Sequence, residues 1–172
     1  HNYLVTSPRI DGDWSDPIYV NSSGFDPTLF HDDDGRKWFL NMRWNHRGPG
    51  SGCNPAHHYF DGILLQEWSP EHGLFGPVEN IYCGTVLGLS EGPHVFKRGG
   101  WYYLTVAEGG TGYNHAVTMA RSAGSLARQQ RRRIHEPARD RLLLHPLHGG
   151  AVLRPPQALA LGADATDESA FS

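Results

Sequence analysis

Short runs rich in apolar and aromatic residues, separated by polar turns, recur along the first 122 residues, and two of them stand at a fixed spacing. Lys37-Trp38-Phe39-Leu40 follows an acidic turn that ends in glycine, and Trp101-Tyr102-Tyr103-Leu104 follows a Gly-Gly turn 64 positions later. Alternation rich in aromatic and β-branched residues predicts strands. Repeats of this length with tight turns predict antiparallel blades stacked around an axis.

The repeat also predicts where the blades begin and end. One nearly complete blade is expected from about residue 24 to 82, and a second from about residue 89 to a third strand at 114–121. The chain would open inside the third strand of another blade. In the first aromatic strand we expect one face to carry Trp38, Leu40 and Met42 and the other Phe39 and Asn41; Trp101, Tyr103 and Thr105 would repeat the first face. The predicted fold class is all-β, a partial β-propeller of about two blades.

The pattern stops after Ser122. Residues 123–172 hold one aromatic residue, Phe171, of the 19 in the chain, together with seven arginines and no lysine. Three interpretations remain open for this irregular C-terminal segment: a flexible tail, a helical appendage, or out-of-frame translation of a GC-rich gene. We favour the last, because the repeat ends in mid-unit without a linker. The run Arg131 to Arg133 lacks interleaved aromatic residues, which argues against a nucleic-acid patch.

Composition excludes several classes of function. The formal net charge of the 172 residues is -3, so nothing global points to nucleic acid or an anionic membrane as a partner. No apolar run of about 18 residues predicts a membrane span. The first residues do not resemble a signal peptide, and the absence of a starting Met leads us to expect that the true beginning lies upstream.

The two cysteines, Cys53 and Cys83, are too few for a disulfide framework. We interpret them as reduced, structural thiols. A zinc site made of Cys53, His57 and His58 is disfavoured, because neither CxxC nor HxxxH spacing is present.

Two carboxylates occupy matching points of the repeat. Asp26 precedes Pro27, and Glu91 lies 65 positions later in Glu91-Gly92-Pro93-His94. Inner strands of blades converge on the axis, so both acids would face one central pocket, which is the arrangement that glycoside hydrolysis uses. A neighbouring charge and burial would raise the pKa of Glu91, as a general acid requires. The alternatives are that Glu91 caps a strand and that Asp26 merely starts a turn.

Other polar and aromatic residues are weaker candidates. Asp32, Asp33 and Asp34 precede Gly35 and are interpreted as a solvated hairpin turn, because Asp tolerates the left-handed conformation and hydrogen-bonds its own backbone. A calcium site is disfavoured, because calcium would need more oxygen ligands at defined spacing. Trp44, with Arg43 and His46, is a candidate sugar-stacking wall, and a core Trp is the alternative.

Several motifs, in order, resemble family 43 glycoside hydrolases, specifically their β-xylosidase branch. The matching motifs are residues 24–37 (GFDPTLFHDDDGRK), 41–44 (NMRW), 63–68 (ILLQEW), 90–94 (SEGPH) and 107–115 (AEGGTGYNH). The likeness covers residues 1–122 almost without gaps and does not extend into residues 123–172. It divides the chain into a partial catalytic domain, 1–122, and an unmatched tail, 123–172.

The resemblance implies a five-bladed β-propeller that cleaves xylosides or arabinosides with inversion. It implies Glu91 as the general acid and Asp26 as the residue that tunes the pKa of the acid and orients it. Residues expected to bind substrate are Trp44, Arg43, His94 and Thr111. No metal, redox or nucleotide cofactor is implied.

The resemblance also places the general base, an Asp, in a first blade that we expect to precede residue 1. Asp11, Asp13 and Asp16 match a different point of the repeat and do not replace it. We therefore expect the chain alone to be inactive.

Two rival functions remain open: an α-L-arabinofuranosidase of the same family and a non-catalytic sugar-binding propeller fragment. The expected partner is a xylo-oligosaccharide or an arabinoside, with no nucleic acid or membrane. Homo-oligomerisation of the intact enzyme is left open. The cellular compartment is also left open, and the cytoplasm is the expected one.

Overall fold

The structure, a computed structural model, describes residues 1–48, 52–54 and 59–123, and within these ranges it consists of nine strands and no helix. The strands are β1 (Asn2–Leu4), β2 (Ile18–Asn21), β3 (Thr28–His31), β4 (Lys37–Trp44), β5 (Phe60–Ser69), β6 (Gly73–Tyr82), β7 (Glu91–Arg98), β8 (Trp101–Glu108) and β9 (Ala116–Ala123). No helix in the described ranges is long and apolar enough to cross a membrane.

The strands form three antiparallel sheets in chain order. Strands β1 and β2 pair with each other, β3 to β6 form a four-stranded sheet, and β7 to β9 form a three-stranded sheet. Each four- or three-stranded sheet is a meander joined by hairpins, which is how a propeller blade is built. The two predicted blades and the partial blade before them are confirmed. The expected tail starts at the last residue of β9, and residues 124–172 lie outside the described part of the chain.

One apolar cluster fills the space between the two larger sheets. It combines side chains of β4, β5 and β6 with side chains of β8 and β9: Trp38, Leu40, Met42, Ile63, Leu65 and Tyr82 on one side, and Tyr102, Leu104, Val106 and Ala120 on the other. The described blades are therefore held together by burial of apolar surface between them.

The predicted facing of β8 is wrong by one residue. Its buried side chains are Tyr102, Leu104 and Val106, while Trp101, Tyr103 and Thr105 are only partly buried. Strand β4 has both faces covered, because Phe39 and Asn41 are buried as well as Trp38, Leu40 and Met42. Because β4 is buried on both faces, its residues do not alternate between buried and exposed, and the pattern does not show which residues of β8 correspond to which residues of β4.

The acidic turn between β3 and β4 also differs from the prediction of a solvated loop. The side chain of Asp32 is 1% exposed and accepts hydrogen bonds from the Tyr102 hydroxyl at 2.7 and 3.0 Å. Lys97 lies 3.3 Å from Asp32 and 2.7 Å from Asp33. Tyr102 and Lys97 belong to the next blade, so this turn is a polar clamp between blades. Asp34 remains at the surface, paired with Arg36.

The interpretation of the cysteines as reduced thiols is wrong. Cys53 and Cys83 form a disulfide, with their Cα atoms 5.5 Å apart. Antiparallel pairing of β5 with β6 places Ile63 beside Tyr82 and so brings the two ends of the hairpin together. Cys53 is therefore not a zinc ligand, and His57 and His58 lie outside the described residues.

Candidate active site

Asp26 is held by the chain segment that runs beside β4. The carbonyl of Phe25 accepts a hydrogen bond from the Met42 N–H, and the carbonyl of Ser23 accepts one from the Trp44 N–H. Between them Gly24 passes so close to β4 that an added Cβ would lie 1.7 Å from the Met42 carbonyl oxygen. Only glycine fits there, and this close packing against β4 sets the position of Asp26.

Asp26 itself has a left-handed backbone conformation, with φ of 53°. Residues other than glycine rarely adopt this conformation, and those that do cluster at functional sites. The Asp26 carboxylate accepts a hydrogen bond from the Gly92 N–H at 3.0 Å. Because Gly92 follows Glu91 directly, this bond places Asp26 beside Glu91 across the boundary between blades.

Glu91 is the first residue of β7 and pairs with Ala107 of β8. It is partly buried. Burial raises the pKa of its carboxyl group, the Asp26 carboxylate raises it further, and His115 acts in the opposite direction. A carboxyl group whose neutral form is favoured can donate a proton at pH values where an ordinary glutamate is ionised.

Trp44 lies at the end of β4 in a group of aromatic rings. Its ring makes edge-to-face contacts with Phe25 and Phe60, at centroid distances of 5.6 and 5.5 Å. The side chain is 39% exposed, so it is not a core tryptophan. It borders an open cavity of about 400 Å³ that is lined by Trp44, Asn45, His46, Gly48 and Tyr59. An exposed aromatic face of this kind suits the apolar face of a sugar ring.

Arg43 pairs with a buried carboxylate. Its Nε lies 3.4 Å from the carboxylate of Asp61, a side chain that is 1% exposed. Asp61 also pairs with Arg47 at 3.2 Å and accepts a hydrogen bond from the Cys53 N–H. Sequence reasoning missed Asp61, although a single acid at the start of an apolar strand is a signal that a cation or donor lies near.

His94 and Thr111, the other two predicted substrate-binding residues, are both exposed. The His94 carbonyl accepts a hydrogen bond at 3.4 Å from the side-chain hydroxyl of Thr105, the residue that lies opposite His94 on β8. Thr111 lies in the turn between β8 and β9. The structure thus brings Asp26 and Glu91 together, and the roles of Trp44, Arg43, His94 and Thr111 stay predictions.

Glu108 is the second acid that sequence reasoning missed. It is fully buried and ends the same face of β8 that carries Tyr102, Leu104 and Val106. An acid in phase with apolar residues is a sequence signal for a buried, hydrogen-bonded carboxylate. Within the described ranges, no group of three or more His, Cys, Asp or Glu side chains is arranged to hold a metal ion.

Comparisons with known proteins identify the family of this chain. Residues 1–152 match glycosyl hydrolases family 43, so the match continues past residue 122, where the recognised motifs end. The chain is 63% identical over 122 residues to "Xylosidase/arabinosidase 43B" of Humicola insolens, covering 70% of this chain and 21% of that protein. It is 53% identical over 124 residues to "Beta-xylosidase" of Bacillus subtilis, covering 72% and 22%.

A solved structure, xylan beta-1,4-xylosidase from Bacillus Halodurans C-125, superposes with a TM-score of 0.64 at 62% identity, covering 72% of this chain and 23% of that one. The chain spans about a fifth of the length of these relatives. Its sheets are part of a five-bladed β-propeller that is not closed in the described residues. The division at residue 122 stays a prediction. On the family match and the relatives together, this chain belongs to glycosyl hydrolases family 43.

Proposed function

We propose that this chain carries the acid side of an inverting glycoside hydrolase site that acts on xylosides. The observation that supports this most strongly is the contact between Asp26 and the Gly92 N–H, beside a Glu91 whose pKa is raised by burial and by Asp26. The names of the Humicola and Bacillus relatives support xylosides as the substrate class.

In the proposed mechanism Glu91 donates its proton to the oxygen of the leaving sugar as the glycosidic bond breaks. A carboxylate on the opposite side of the ring removes a proton from water, which attacks the anomeric carbon and inverts it. Such a pair stands about 6.5–9.5 Å apart, with room for the water. Asp26 contacts the backbone next to Glu91, so its role here is to hold the acid and raise its pKa.

The base is not assigned to any described residue, and we propose that the 172-residue chain alone does not turn over xylosides. Loss of a general base costs on the order of 10²–10⁴-fold in rate. Assays of hydrolysis therefore need a complete enzyme, by which we mean a chain of the relatives' length that carries residues 1–123 of this sequence. Robust release of nitrophenol from an aryl xyloside by the 172-residue chain would contradict this part of the proposal.

The test of the acid compares two leaving groups in the complete enzyme. Departure of a sugar from xylobiose needs protonation, whereas nitrophenolate leaves with little help. Glu91→Ala should therefore reduce kcat on xylobiose by about 10²–10⁴-fold and reduce kcat on a nitrophenyl xyloside far less. Equal losses on both substrates would remove Glu91 from the acid role.

The same assay with an aryl arabinofuranoside separates xylosidase from arabinofuranosidase activity. The name of the Humicola relative includes both activities, so the ratio of the two rates is the informative number. Binding of xylobiose without any release of sugar by the complete enzyme would favour the non-catalytic alternative.

A further inference from the structure

The segment 84–90, which leads from β6 to Glu91, has an unusual backbone. Gly88 and Leu89 both have positive φ, 62° and 53°. Leu89 has a side chain and so adopts the left-handed region only if its surroundings hold it there. The segment ends at Ser90, so its conformation decides where Glu91 enters β7.

The buried carboxylate of Glu108 holds this segment at both ends. Its Oε1 accepts hydrogen bonds from the Thr85 N–H at 2.8 Å and from the Ser90 hydroxyl at 2.5 Å. Its Oε2 accepts one from the Thr85 hydroxyl at 2.7 Å. Glu108 has no exposed surface. All three donors belong to the one segment that precedes Glu91.

Two neighbouring features support this contact. A Cβ at Gly84, where φ is 84°, would lie 2.3 Å from the Ser90 hydroxyl and 3.0 Å from Glu108 Oε1, so the segment closes tightly over the carboxylate. The Gly109 N–H, next along from Glu108, donates to the Gly88 carbonyl at 2.8 Å.

Strand pairing explains why Glu108 can act on Glu91. Glu91 pairs with Ala107, so one further step of the antiparallel register sets Ser90 opposite Glu108. Directly opposed residues place their side chains on the same face, and the Ser90 hydroxyl meets the Glu108 carboxylate there. Glu91 projects from the other face of the same two strands, because successive side chains alternate.

We propose that Glu108 is a positioning residue for the acid Glu91. Through Thr85 and Ser90 it fixes the conformation of the segment 84–90 and thereby sets the position and orientation of the Glu91 side chain in the site. This inference rests on the proposed role of Glu91. Burying a carboxylate is costly unless its hydrogen bonds are satisfied. Three of these bonds come from the segment 84–90, and the Tyr82 hydroxyl of β6 also interacts with the carboxylate, so Glu108 fixes the conformation of that segment against the body of the blades.

The test uses the complete enzyme and the two leaving groups. In Glu108→Gln one acceptor oxygen becomes an amide NH₂, so at least one of the three donors loses its partner. The kcat on xylobiose should fall by about tenfold or more, since small misplacement of a catalytic group costs up to about 10²-fold. The kcat on a nitrophenyl xyloside and both KM values should stay within about threefold of the unmodified enzyme. Glu71→Gln, at an exposed glutamate, should leave both rates unchanged.

A matched pair at Thr85 makes the test independent of how Glu108→Gln folds. Thr85→Val keeps the shape and removes the hydroxyl that donates to Glu108 Oε2, so it should lower the ratio of xylobiose to aryl xyloside rates. Thr85→Ser keeps the hydroxyl and should restore the ratio. The basic limb of the kcat profile should move in Thr85→Val and return in Thr85→Ser, because the surroundings of Glu91 change with the segment.

The outcomes separate this inference from the function on which it rests. If Glu91→Ala shows the predicted selective loss but Glu108→Gln and Thr85→Val lower both rates equally, Glu108 serves stability alone and the inference is overturned. Unchanged rate ratios in both variants overturn it as well. If Glu91→Ala itself shows equal losses, the proposed function has failed first.

Discussion

The Asp26 carboxylate lies 3.0 Å from the Gly92 nitrogen and accepts its hydrogen bond, which links two blades through residues 66 positions apart in the chain. Gly92 is the residue after Glu91, so the charge on Asp26 stands beside the acid.

Asp26→Asn removes the charge and keeps an oxygen that can accept from the Gly92 N–H. Because the Asp26 carboxylate raises the pKa of Glu91, the basic limb of the kcat profile should shift to lower pH. Burial is the larger cause of the raised pKa and is unchanged, so the shift should be partial. The measurement is kcat on xylobiose across pH in the complete enzyme. Asp13→Asn, at an exposed carboxylate, is the control, and an unmoved limb in Asp26→Asn would leave Asp26 as an ordinary turn residue.

Glu91→Gln should stabilise the protein at pH 7. The pKa of Glu91 is raised in the folded state, so the folded state binds its proton more tightly than the unfolded state does. That contribution is fully present below the unfolded pKa of about 4.3 and is lost as pH rises through the folded pKa. The stability difference between Glu91→Gln and the unmodified protein should therefore be larger at pH 7 than at pH 4.

Urea unfolding at both pH values measures this stability difference. Glu71→Gln is the control, and its effect on the free energy of unfolding should have the opposite sign. Hydrogen bonds from its own backbone and from Ser69 lower the pKa of Glu71, so ionised Glu71 favours folding. A loss of stability in Glu91→Gln that is the same at pH 4 and pH 7 would contradict the prediction.

Tyr102→Phe should weaken the clamp between the blades. It removes the hydroxyl that donates to Asp32 and leaves a buried carboxylate with one fewer partner. Leaving a buried acceptor unsatisfied costs about 1–3 kcal/mol, and more when it is charged. Chemical denaturation gives the free energy of unfolding. The control is Tyr103→Phe, where the ring is partly exposed and stacked on Phe96 at 5.1 Å, and it should be close to neutral. Equal effects of the two changes would show that the clamp is not stabilising.

Reduction of the Cys53–Cys83 disulfide should destabilise the protein. The bond closes a loop with a sequence separation of 30 residues. In the chain-entropy account such a loop is worth about 3–4 kcal/mol. Unfolding curves with and without reductant measure the loss, and a Cys53→Ser, Cys83→Ser double variant should be insensitive to reductant. Two thiols that alkylate without prior reduction would show that the bond is absent.

Local patterns in the sequence are enough to predict the all-β class, the blade repeat and the pair of acids at matching points. These follow from local rules: alternation sets strands, glycine and aspartate set turns, and a repeat carries equivalent residues to equivalent places. Asp26 and Glu91 could be found in this way because each belongs to a short motif at a fixed offset within its own blade.

The contacts between residues of neighbouring blades depend on how the sheets pack, and the sequence pattern does not predict them. Asp32 looked like a surface turn residue, yet Tyr102 and Lys97 of the next blade bury it. Cys53 and Cys83 meet because β5 pairs with β6. Glu108 meets Ser90 because β7 and β8 pair in one particular register, and the turn before β7 brings Thr85 to the same carboxylate. Each of these contacts depends on how far one strand slides along another and how closely two sheets pack, and neither quantity is written in the alternation of a single strand.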